Sequence, residues 1–140
     1  MKEPSHSPAT IKPLRILVID DVAQVRKLIR DTLQILTQAK VHSVANSKAA
    51  LSLLEETEIH LITQDLTRRD GTGLEFLEIV KSNPKTRHIP VIIISANPKK
   101  VLEQAWRAGA SAVVSKPYVP YELIEIINHF LLLGRNSGDS

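Results

Sequence analysis

The feature that most narrows what this chain can fold into is a recurring short, unbroken apolar run that closes on polar residues. Leu14–Ile19 runs into Asp20-Asp21, Ile59–Gln64 into Asp65, Pro90–Ile94 into Ser95, and Ala112–Val114 into Ser115-Lys116. A shorter run, Val41–Ala45, lies between the first two. A strand with one wet face alternates apolar and polar residues. A continuous run is buried on both faces, as in a parallel sheet covered by helices on either side.

Between these runs the apolar period lengthens to that of a helix. Val22, Val25, Ile29, Leu33 and Leu36 fall on one face and predict a helix over 22–36. Ser47 is placed to cap a second helix that turns Ala50, Leu51 and Leu54 inward. Asp70-Gly71-Thr72-Gly73 is turn chemistry and opens a third, carrying Leu74, Leu77 and Val80, which Asn83-Pro84 ends. Pro98 suits the start of a fourth, through Leu102, Ala105 and Trp106 to a stop at Gly109. Pro120 opens a fifth, with Leu123, Ile126, Ile127, Phe130 and Leu131 as its apolar positions. Strand and helix alternate five times without an internal repeat, which predicts a doubly wound α/β domain over 14–133. Residues 1–13 and 134–140 read as tails, the first of them flexible.

In such a fold the carboxyl ends of the strands meet at one rim, where ligands bind. Asp20, Asp21, Asp65, Ser95 and Lys116 would therefore share a pocket. Singly each has a plainer role: the aspartates and Ser95 as caps, Lys116 as a surface lysine. Together they pose an electrostatic problem. At about 4 Å and an effective dielectric near 20, each like-charge pair costs about 4 kcal/mol, and one lysine offsets only part of that. Either one acid stays protonated or a divalent cation joins them. Oxygen donors without cysteine or histidine favour Mg2+, or Mn2+, over zinc, and magnesium commonly binds together with phosphate. Asp65, alone on its strand, is the candidate nucleophile toward phosphorus. Ser95 and Lys116 would neutralise the oxygens of the transferring group.

Composition removes other classes. The chain has no cysteine, so disulfides and thiolate metal sites are excluded. Neither a secretion signal nor an apolar run of membrane-spanning length is visible, which suits a cytoplasmic protein. The net charge of +3 comes from scattered basic residues without a stacking motif, so nucleic acid is not an expected partner.

The motifs "ILVIDD" (16–21), "QDLTRRDGTG" (64–73), "VIIISA" (91–96) and "GASAVVSKPY" (109–118) resemble those of response-regulator receiver domains of the CheY-like kind. The resemblance covers about Leu14 to Leu133, and the intervals between Asp21, Asp65, Ser95 and Lys116 match the family's. It implies a flavodoxin-like (βα)5 sandwich with strand order 2-1-3-4-5. It also implies that Asp65 accepts a phosphoryl group from a sensor histidine kinase or phosphotransfer protein. Magnesium would be held by Asp21 directly, by Asp20 mainly through water, by Asp65, and by the carbonyl of Thr67. Ser95 would bond a phosphoryl oxygen, and Lys116, positioned by Pro117, would pair with the acceptor or its phosphate. Such a domain is a switch rather than an enzyme, apart from its self-catalysed phosphotransfer and dephosphorylation.

Departures from the family pattern raise expectations of their own. Arg69 stands where the family usually has proline and Arg68 where it has an apolar residue. Either one arginine offsets the added charge on phosphorylated Asp65, or both point to solvent. Val113 replaces the usual aromatic three residues before the lysine, so the usual aromatic switch is unavailable there. Trp106 either takes over part of that role or faces a partner, and Tyr118 belongs to the same surface. Ile124 and Leu132 suggest an apolar patch, and the helix 4–strand 5–helix 5 face would serve an unknown downstream target or a weak dimer of an otherwise monomeric chain. Only seven residues follow the last helix, which predicts a stand-alone or excised switch without its own output module. A receiver-like interaction module that does not switch is the competing reading. An aspartyl-phosphate phosphatase is disfavoured, because Thr67 stands where its second aspartate belongs.

Overall fold

The computed structural model describes residues 13–68, 70–96 and 98–139, with side chains through Leu132 except that of Pro98. Residues 1–12 and Arg69 lie outside the described residues. Five strands form one parallel sheet: β1 (Arg15–Ile19), β2 (Lys40–Val44), β3 (Leu61–Asp65), β4 (Val91–Ser95) and β5 (Ala112–Ser115), in the order β2-β1-β3-β4-β5. The helices are α1 (Ala23–Thr37), α2 (Ser47–Glu56), α3 (Gly73–Ser82), α4 (Pro98–Ala108) and α5 (Pro120–Asp139). The predicted order and doubly wound architecture are the ones found. The last helix runs through Gly134 to Asp139.

Successive residues of a strand face opposite sides, and the sheet accordingly separates two cores. Ile16, Val18, Leu61, Ile92, Ile94 and Val114 pack against Ile29 and Leu33 of α1 and Leu123 and Ile127 of α5. Leu17, Ile19, Ile62, Val91 and Ile93 pack against Ala50 of α2, Phe76, Leu77 and Val80 of α3, and Ala105 of α4. Strand β3 is buried at every position, which explains its unbroken apolar reading.

Several helix faces differ from the periodic expectation. In α1 only Ile29 and Leu33 are buried, while Val22, Val25 and Leu36 are exposed with Leu28 and Ile35. One helix over a flat sheet buries a narrow stripe, and the wider set falls outside it. Ser47 does not cap α2; Asn46 does, its Oδ1 accepting from the Ala49 amide at 2.8 Å, and Ser47 is the first helical residue. In α4 Leu102 and Trp106 are exposed and Ala105 is buried. Ile124 is buried and Leu132 is 59% exposed. The turn after α4 requires Gly109, at φ +105°, where a Cβ would lie 2.7 Å from Lys81 Cγ.

Candidate functional site

Ladder hydrogen bonds persist one residue beyond the strands and bring their carboxyl ends side by side. The Asp20 amide donates to Val44 O at 3.1 Å, the Leu66 amide to Ile94 O at 3.0 Å, and the Lys116 amide to Ser95 O at 2.9 Å. Register sets Asp65 opposite Ile94 and Ser95 opposite Ser115. Asp65 sits at the last position of β3 on the face carrying Leu61 and Thr63, the face covered by α1 and α5.

Asp65 is 5% exposed, a burial that costs an unpaired carboxylate dearly. It is paired on both oxygens. Lys116 Nζ donates to Oδ2. The Thr67 amide (2.8 Å) and hydroxyl (2.6 Å) both donate to Oδ1. Burial pushes the Asp65 carboxyl up, but the Lys116 and Thr67 bonds outweigh it and hold the group below the ordinary carboxylate value. Asp65 is therefore ionised at neutral pH.

Asp20 is the opposite case. It is 2% exposed, and its Oδ1 accepts the Val22 amide at 2.9 Å. Burial pushes its carboxyl up; the Val22 amide and Lys116 pull it down, yet the charges of Asp65 and Asp21 leave it raised. The Asp20 carbonyl accepts from Arg26 Nη1 at 2.7 Å, which holds this corner against α1. Asp21 is half-buried beside it.

Ser95 is buried at the end of β4. Lys116 precedes a cis peptide to Pro117. Tyr118 follows, half-buried, its phenol pushed up by burial and by the charges of Asp20 and Asp65. It also lines a groove of about 180 Å³ between α1 and α5, with Leu28, Thr32, Pro120 and Leu123. Val113 packs on the second core, and Trp106 is 47% exposed on α4.

The rim thus brings Asp20, Asp21, Asp65, Thr67 and Lys116 together. Their donor chemistry, carboxylate and carbonyl oxygen without sulfur or imidazole, fits a hard divalent cation. The Asp20 carboxyl is raised chiefly by burial, with the charges of Asp65 and Asp21 adding to it. Among the described residues no group of three acidic or histidine side chains is drawn tightly enough to enclose a metal by itself. Lys116 and Thr67 occupy Asp65 instead.

Arg68 does not point to solvent, and its direct hydrogen bonds go elsewhere than Asp65. Its side chain is 1% exposed, and Nη2 donates to Ser47 Oγ at 2.8 Å and to Gln64 Oε1 at 3.1 Å. The polar neighbours of this arginine, Gln64, Ser47, Asp70 and Thr72, escaped the sequence reading. The available signal was Gln64 itself, an amide inside a fully buried strand, four residues before an arginine.

Residues 16–128 match the family model described as response regulator receiver domain. The chain is 33% identical over 125 residues to the uncharacterized 14.6 kDa protein in the sodA1 3′ region of Leptolyngbya boryana, covering 88% of this chain and 94% of the relative. It is 29% identical over 106 residues to the probable chemotaxis protein CheY of Rhizobium etli, covering 75% and 82%. Among solved structures, a CheY-like receiver domain protein of Methanospirillum hungatei superposes with a TM-score of 0.82 at 23% identity, covering 90% of this chain and 99% of that one. At that identity the likeness speaks for the fold. No helix among the described residues is long and apolar enough to cross a membrane.

Proposed function

Because the chain belongs to the family of response regulator receiver domains, we propose that it is a signalling switch phosphorylated on Asp65 by a histidine kinase or phosphotransfer protein. The observation that carries this is the Asp65 carboxylate itself: buried at the end of β3 and held between Lys116 and Thr67. An ionised oxygen there attacks phosphorus of a phosphohistidine. The Asp65 O–P bond forms as the N–P bond breaks, and the electron pair returns to the imidazole. Attack from Oδ1 or Oδ2 gives up a bond to Thr67 or Lys116, and either donor is then placed to bind a phosphoryl oxygen.

Asp20, Asp21, Asp65 and the Thr67 carbonyl would hold Mg2+ or Mn2+. When bound, the cation supplies positive charge against the carboxylates and the transferring group. Ser95, on the neighbouring strand end, would donate to another phosphoryl oxygen. The groove between α1 and α5, rimmed by exposed Leu28 and closed by Tyr118 near the acids, suits the approach of the phosphodonor. The α4–β5–α5 face, with Trp106 and Leu132 exposed, would meet a downstream protein or a second copy. Location in the cytoplasm follows from the donor kinase's side of the membrane.

One departure favours the second reading, a receiver-like interaction module that does not switch. Val113 is stiff at χ1 and offers no aromatic rotamer change. The same experiment decides between them. Incubation with Mg2+ and acetyl phosphate, followed by intact mass measurement, should show the gain of one phosphoryl group, absent in Asp65→Ala. A wild-type protein that gains none refutes the phosphoacceptor role and leaves the interaction module.

A further inference from the structure

On the face of β3 opposite Asp65 lies a buried polar set that phosphotransfer does not itself use. Gln64 is fully buried where its strand-mate Ile62 on that face is apolar. Its Nε2 donates to Gly73 O at 3.1 Å, and its Oε1 accepts from Arg68. Ser47 Oγ accepts from Arg68 Nη2 and also from Thr72 Oγ1, at 2.7 Å. Asp70 closes the set: its Oδ2 accepts from the Ser47 amide at 3.0 Å and its Oδ1 from the Thr72 amide at 3.4 Å.

Packing alone does not ask for a cation here. Among the described residues Arg68 Nε and Nη1 have no hydrogen-bond partner, and burial lowers the Arg68 pKa although four aspartates raise it. An apolar side chain of similar volume would cost less. What the guanidinium does provide is connection. Its bonds join three segments: the end of β3, the loop after it, and the first turn of α2. Gln64 immediately precedes Asp65, and Arg68 immediately follows Thr67. Asp65 and Thr67, which are bonded to each other, are therefore bracketed by a bond between their neighbours.

We propose that Arg68 is the positioning residue of the β3–α3 loop. By binding Gln64 and Ser47 at once, it clamps Asp65, Leu66 and Thr67 in one conformation and so strengthens divalent-cation binding by the Asp65 carboxylate and the Thr67 carbonyl. The cation part rests on the function proposed above; the clamp does not. The effect works through shape rather than through charge on the acids. Its two acceptors are neutral, and the nearest carboxylate is that of Asp70, with Nε 3.7 Å from Oδ1. Lysine at this position would keep the charge but is shorter and lacks the planar fork.

The test compares wild type with Arg68→Met, Arg68→Lys and Gln64→Leu. Amide hydrogen exchange is measured without cation, and Mg2+ affinity by calorimetric titration with MgCl2. In Arg68→Met the Ser47 and Thr72 amides should exchange about tenfold faster, while the Ile93 amide in the sheet interior is unchanged. Mg2+ should bind about tenfold more weakly, the lower end for loss of a group that orients metal ligands. Arg68→Lys should resemble Arg68→Met, and Gln64→Leu should show the same loosening. Unchanged exchange at Ser47 and Thr72 in Arg68→Met overturns the clamp, and full wild-type Mg2+ affinity in Arg68→Lys overturns shape in favour of charge. Wild type that binds no Mg2+ refutes the cation site of the proposed function, and the exchange rates still judge the clamp separately.

Discussion

Lys116→Met isolates what the ion pair contributes at the rim. The Asp65 side chain is 6% exposed and that of Lys116 31%, so the substitution removes a partly wet cation from a nearly dry anion. Removing one partner of a buried pair costs about 3–5 kcal/mol, and the partial exposure of Lys116 puts this case near 3. In a domain of this size that lowers Tm by roughly 10 °C. The pH dependence is the sharper signature. In wild type the Asp65 pKa is lowered, so its stabilisation is present above the ordinary carboxylate pKa and is lost as pH falls through the lowered value. Without Lys116 the Asp65 pKa rises, because only the Thr67 bonds then oppose burial. A raised carboxylate opposes folding at neutral pH and is relieved by protonation in mild acid. Thermal melts of both proteins at pH 7 and near pH 4 should therefore show a large gap that narrows on acidification. In an Asp65→Asn background the same substitution should cost little. A gap below about 2 °C at pH 7, or one that widens in acid, refutes this account.

Two further perturbations follow from the same structure. Asp20→Asn removes a buried carboxylate whose raised pKa penalises the fold at neutral pH; the cation-free protein should gain roughly 1 kcal/mol and lose most of the Tm rise that Mg2+ gives wild type in a differential scan. Gly109→Ala puts a Cβ at φ +105° and 2.7 Å from Lys81, whose Nζ donates to Ile89 O and Arg87 O; urea unfolding should show a loss of about 2 kcal/mol with an unchanged m-value.

The parallel doubly wound class and the meeting of the strand ends at one rim were legible from local pattern, whereas the strand order came from the family resemblance. Continuous apolar runs specify two-sided burial, and parallel strands bring their carboxyl ends to one rim. The strand expected over Ile59–Gln64 is found at Leu61–Asp65 and is buried throughout. The extent of the buried helix faces was less legible, as Leu36 and Trp106 show: periodicity marks which residues share a face, and the partner surface decides how much of that face is covered. Ser47 illustrates a third limit. A serine before an apolar helix is a sound cap by propensity, but Asn46 takes that role, and Ser47 Oγ instead bonds Arg68 and Thr72.

By itself the sequence determined the parallel α/β architecture and placed Asp65 and Lys116 at strand ends, because pattern and spacing survive without coordinates. Only the tertiary structure decided the fate of Arg68. A basic residue in a polar loop reads as solvated, since desolvating a guanidinium is costly. Its burial is possible here because β3 presents Gln64, α2 presents Ser47, and Asp70 supplies the nearest compensating charge. Gln64 and Asp70 are close to Arg68 in the chain, but Ser47 lies 21 residues away on another element. Their common purpose exists only once the helices close over the sheet.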